Sequence, residues 1–142
     1  MRKSLYLPSV IFLLLAGCVP ALGSKCLKQP SVSKAYDEAA AVFLGKVVEV
    51  DDFYIKFKVE RTWKEAASDE VVLVLGAVEL ENGIIFNRDL LRRYNFYLGK
   101  EYLVYAEKIP KGLYAYRCSR TKPKEDARKD IEELERLHKQ KA

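Results

Sequence analysis

A single histidine, His138, is the whole imidazole complement of this 142-residue chain. One imidazole cannot build the usual histidine-rich zinc site, and His138 lies in a polar C-terminal stretch where a solvated helix residue accounts for it. No glycine-rich phosphate loop is present, nor an internal repeat or a low-complexity tract. Beyond the N-terminal stretch, no apolar run approaches the ~20 residues of a membrane-spanning helix. The carboxylate pairs Asp37-Glu38 and Asp51-Asp52 read as a helix cap and a surface turn rather than acid–base machinery. Ser119 has no base near it in sequence. These absences leave no catalytic residues, no metal site and no cofactor to expect.

Charge is balanced. The chain has 25 Lys and Arg against 20 Asp and Glu, a formal charge of +5. Without Arg2 and Lys3 that falls to +3, which gives no signal for nucleic acid. The aromatics Trp63, Tyr54, Tyr102, Tyr105, Tyr114 and Tyr116 would suit base stacking on a small barrel. Strand alternation instead assigns them to packing.

The N-terminus carries the three parts of an export signal. Arg2 and Lys3 supply the positive start, residues 10–16 a short apolar core, and small residues follow. Two processing sites compete. Leu15-Ala16-Gly17-Cys18 resembles a bacterial lipobox, with residues 1–17 removed and Cys18 lipidated. Ala21-Leu22-Gly23 is an ordinary signal-peptidase site that would make Ser24 the first residue. Three cysteines is an odd count. Either route sets Cys18 apart and leaves Cys26 and Cys118, which an oxidising compartment would let pair.

Residues 18–30, with Pro20 and Pro30, read as a tether or arm, and residues 31–142 as one domain. Ser31 is the expected N-cap of a short helix to Ala40. Residues 42–50 are β-branched and aromatic, with Gly45 marking a bulge or bend. Phe53, Ile55, Phe57 and Val59 alternate with polar residues into Trp63, the period of a half-buried strand. Residues 71–75 form a third strand. Asn82-Gly83 closes a small hairpin, and residues 89–93 follow as a helical turn or loop. Strands at 101–109 and 113–118 come next, around a turn at Pro110-Lys111-Gly112. Thr121-x-Pro123 predicts a helix over 122–140, with Ala127, Ile131, Leu134 and Leu137 packing down and the rest facing water. Glu125–Lys129, Glu132–Arg136 and Glu135–Lys139 are its expected i,i+4 pairs. Five strands with helices at the ends suit a closed barrel of the OB type, although spacing alone also fits a sandwich.

Four segments read together are familiar. They are Ala41-Val42-Phe43-Leu44-Gly45-Lys46-Val47, Val59-Glu60-Arg61-Thr62-Trp63-Lys64, Phe96-x-x-Gly99-Lys100-x-Tyr102-Leu103-Val104-Tyr105-Ala106 and Cys118-Ser119-Arg120-Thr121-Lys122-Pro123. In this order they resemble bacterial exported domains similar to the netrin-like N-terminal domain of tissue inhibitors of metalloproteinases, over residues 24–137. The resemblance implies a five-stranded OB-like barrel and a Cys26–Cys118 bridge. Such domains carry Cys-x-Cys near the start. Here Ser24 stands at the first cysteine and about Arg92 at its partner, so one whole disulfide is missing.

The resemblance offers two functions. One is a non-catalytic interaction module, tethered to the membrane through Cys18 and meeting a protein partner in the cell envelope. The other is a metalloendopeptidase inhibitor using an N-terminal ridge of Ser24, Lys25 and Cys26. Inhibition in that family needs a free terminal amine pinned by the disulfide that is missing here.

Overall fold

The computed structural model describes residue 26 and residues 28–65, 68–87 and 92–142. The leader, Cys18, Ser24, Lys25 and both processing sites lie outside the described residues, as do residues 89–91 of the expected turn.

Helix α1 (Val32–Glu38) starts where Ser31 caps it, the Ser31 hydroxyl accepting from Lys34 N at 3.2 Å. Strand β1 (Ala41–Val50) pairs antiparallel with β2 (Tyr54–Lys64), and β2 with β3 (Glu70–Val74). A separate hairpin of β4 (Ala77–Glu79) and β5 (Ile85–Asn87) turns at Asn82-Gly83, where Gly83 has φ +77°. Strand β6 (Glu101–Ile109) pairs antiparallel with β7 (Gly112–Tyr114) and returns to β1. One parallel contact, Leu73 against Leu113, joins β3 to β7. The ring β1-β2-β3-β7-β6-β1 is therefore closed, a five-stranded mixed OB-like barrel.

Gly45 is where the first strand bends. The β1–β2 register shifts between Leu44 and Gly45, and a Cβ at position 45 would lie 3.0 Å from the Lys58 carbonyl oxygen and 3.3 Å from the Phe43 ring. The Lys58 carbonyl belongs to the paired strand and cannot rotate aside. Gly45→Ala should therefore cost about 1–3 kcal/mol, the usual penalty of overpacking. Thermal denaturation reads it directly, and an unchanged melting temperature would show that the bend accommodates a side chain.

Two apolar cores result. Inside the barrel, Phe43, Phe57, Phe96 and Tyr102 meet edge to face, with successive centroids 5.5, 5.0 and 5.0 Å apart. Outside it, Val42, Leu44, Leu103 and Tyr105 lie beneath α1 and the C-terminal helix, with Trp63, Tyr36 and Leu134. Strands β1 and β6 are thus covered on both faces, which is why each reads as a continuous apolar run.

The C-terminal helix differs from expectation at its start. Lys122 and Pro123 form a short strand, β8 (Lys122–Pro123), paired with Leu103 and Tyr102 on β6. A 3-10 turn follows (Lys124–Asp126), and α2 (Arg128–Lys141) begins six residues beyond position 122. The reason is the β6 ladder. Tyr105 N donates to the buried Thr121 hydroxyl at 3.0 Å, which holds the segment extended against the strand. Proline is tolerated there because β8 is an edge strand and needs no further donor. Ala127, Ile131, Leu134 and Leu137 do pack inward as the spacing predicts. Strand β7 is also shorter than the expected 113–118. Past Tyr114 only a bridge between Tyr116 and Arg93 continues the pairing.

Candidate functional site

Among the described residues, the N-terminal arm has one covalent tie to the barrel. Cys26 and Cys118 form a disulfide with Cα atoms 5.4 Å apart, joining residues 92 positions apart in sequence. Gln29 Nε2 donates to Ser119 O at 3.4 Å, and Arg120 Nη1 donates to Pro30 O at 2.7 Å. The arm therefore lies along the segment that follows β7. Ser119 itself turns that segment, its hydroxyl donating to Tyr116 O at 2.7 Å, with the Thr121 hydroxyl 2.9 Å away.

A cluster of charges backs the staple. Asp130 on α2 is only 4% exposed. It accepts from Arg120 Nε at 2.8 Å and Nη2 at 2.6 Å, and Lys122 Nζ lies 3.2 Å away. Burial alone would raise the Asp130 pKa. The hydrogen bonds from Arg120 and Lys122 outweigh it, and the carboxyl is held below its ordinary 3.8. The same cluster faces Tyr105, whose phenol burial pushes upward. Arg120 thus holds three separate segments together: the arm through Pro30, its own loop, and α2 through Asp130.

Beside the staple, α1 and the arm enclose an open groove of about 780 Å³ against the outside of the barrel. Lys28, Lys34, Glu38, Tyr105, Glu107 and Tyr116 are among its lining residues. On the other flank, residues 92–94 run alongside residues 115–117. Tyr94 N donates to Ala115 O at 2.9 Å and Arg117 N to Arg92 O at 2.6 Å.

The remaining sequence candidates fall as follows. His138 is exposed on α2. Asp51 accepts from Phe53 N at 3.0 Å, making a turn, while Asp37 pairs with Lys141 at 2.7 Å and Glu38 with Lys34 at 3.7 Å. Of the six aromatics assigned to packing, Trp63, Tyr102, Tyr105 and Tyr114 are buried, while Tyr54 and Tyr116 are half-buried. Among the described residues, no group of three or more His, Cys, Asp or Glu could hold a metal ion.

The charges of α2 differ from the expected pairs: Glu132 pairs with Arg128 and Arg136 with Glu133. Asp130 sits on the face expected to meet water, and Glu135 was expected to pair with Lys139. Glu135 instead accepts from Trp63 Nε1 at 2.8 Å and Arg61 Nη2 at 2.5 Å, crossing from α2 to β2. Trp63 and Arg61 are 72 and 74 positions away in sequence, and no local periodicity signals such pairs.

No protein-family model matches the chain, and no curated protein matches it. The fold and the disulfide therefore stand on the structure alone, and a structural disulfide points to an oxidising compartment outside the cytoplasm.

Proposed function

We propose that this chain is an exported, non-catalytic interaction module of the netrin-like, metalloproteinase-inhibitor-like superfamily, tethered to the cell envelope by a lipid on Cys18. The observation that carries the reading is the neighbourhood of the staple. Cys26 and Cys118 bridge as the resemblance implies. Arg92, the position matched to the missing disulfide, pairs through its carbonyl with Arg117, the residue before Cys118.

The function assigned to the barrel is to present loops to a protein partner. The exposed apolar residues Tyr97 and Leu98 (64% and 66%), with Leu80 and Ile84 at the hairpin tip, are suited to that role. Metalloendopeptidase inhibition through Ser24, Lys25 and Cys26 is the second reading.

Intact mass of the chain extracted from membranes tests both readings. A chain starting at Cys18 and carrying diacylglyceryl is expected, which makes Ser24 an internal residue without the free α-amine that inhibition requires. An unmodified chain starting at Ser24 would overturn the tether and call for assays against metalloendopeptidases.

A further inference from the structure

The stapled face of the barrel gathers positive charge from separate segments of the chain. Lys28, Arg92 and Arg117 are exposed and Arg93 is half-buried. The structure gathers them around one disulfide: Lys28 is two residues past Cys26, Arg117 precedes Cys118, Arg92 pairs with Arg117 through the backbone, and Arg93 bridges Tyr116. Among the described residues none of the four forms an ion pair. The Nε of Arg93 is buried with no hydrogen-bond partner among those residues. Of the acids lining the adjacent groove, Glu38 is engaged by Lys34, leaving Glu107. Arg120, the other cation of this region, is already committed to Asp130 and Pro30.

We infer that this basic face rests on the anionic phospholipid headgroups of the membrane that holds the chain. The inference rests on the proposed anchor at Cys18. Cys26 lies eight positions after Cys18, and a fully extended chain of eight such steps reaches at most ~29 Å. The Cys26 face is therefore the part of the barrel confined closest to the lipid. Guanidinium groups match phosphate geometry through paired donors, and the attraction acts within about a Debye length of ~8 Å at physiological salt. An acidic protein could meet the same charges, but the tether places lipid within reach in every molecule.

The test uses residues 19–142, which contain every described element and lack the acylated cysteine, mixed with phosphatidylglycerol–phosphatidylcholine vesicles or with phosphatidylcholine vesicles alone. Co-sedimentation with the first and not the second is expected, weakening as salt is added. Arg92→Glu with Arg117→Glu should lower binding roughly tenfold or more, while Lys58→Glu on β2 should leave it unchanged. Both arginines are exposed and the bond between them is made by backbone atoms, so the fold is expected to survive. A melting curve checks this, and Arg92→Gln with Arg117→Gln provides a milder second variant. Equal binding to both vesicles, no binding to either, or binding indifferent to both double variants would overturn the inference. Failure of the anchor shows separately, as an unacylated mass of the native chain.

Discussion

Replacing both bridging cysteines, Cys26→Ser with Cys118→Ser, is expected to lower stability by about 4–5 kcal/mol, the chain-entropy value for a closed loop of this size. The bond spans 92 positions, so α1 and strands β1 to β7 all lie inside the loop that it closes. Without it, the unfolded chain regains that freedom, and the arm keeps only the bonds from Gln29 and Arg120 to hold it. For a domain of this length the loss corresponds to a fall of roughly 10–20 °C in melting temperature. Reductant should reproduce the effect in the parent chain and do nothing to the double variant. Parent and variant melting together under oxidising conditions would show that the arm contributes nothing to stability.

Asp130→Asn should cost nearly as much, about 3–5 kcal/mol, because it strands buried positive charge. The Arg120 and Lys122 side chains are only 17% and 19% exposed, and Asp130 is the only carboxylate that either of them contacts among the described residues. An asparagine amide offers one acceptor where two oxygens now serve two cations. The pH dependence identifies the cause. The Asp130 pKa is lowered on folding, so its contribution is complete above the ordinary value of 3.8 and disappears as pH falls through the lowered one. The stability gap between parent and variant should therefore be constant near neutrality and narrow in acid below 3.8. A gap that stays constant down to full protonation would mean that the carboxylate is not the stabilising species.

Much of this architecture was legible because local pattern and tertiary role agree. Ile55 and Phe57 are buried while Lys58 is exposed, so the alternation of β2 marked its inner face. Asn82-Gly83 needed only a positive φ to announce its hairpin. Ser31 capped α1 by the ordinary hydroxyl route.

Agreement broke down where a distant partner decided the outcome. Thr121-x-Pro123 has the form of a helix start, yet the β6 backbone takes the threonine hydroxyl and holds the segment as a strand edge. Asp130 and Glu135 lie on a helix rich in charge and looked solvated, because the cations and the indole that claim them come from other elements. The basic face is of the same kind: Lys28, Arg92, Arg93 and Arg117 are scattered in sequence and meet only through the disulfide and the pairing of residues 92–94 with 115–117.

Peptide mapping of the native chain, alkylated before digestion and never reduced, tests the staple most directly. One linked pair joining the peptides of Cys26 and Cys118 is expected, with neither residue alkylated. Both thiols appearing alkylated in folded protein would contradict the account, because the arm would then have no covalent tie to the barrel and the basic face no covalent link to the tether.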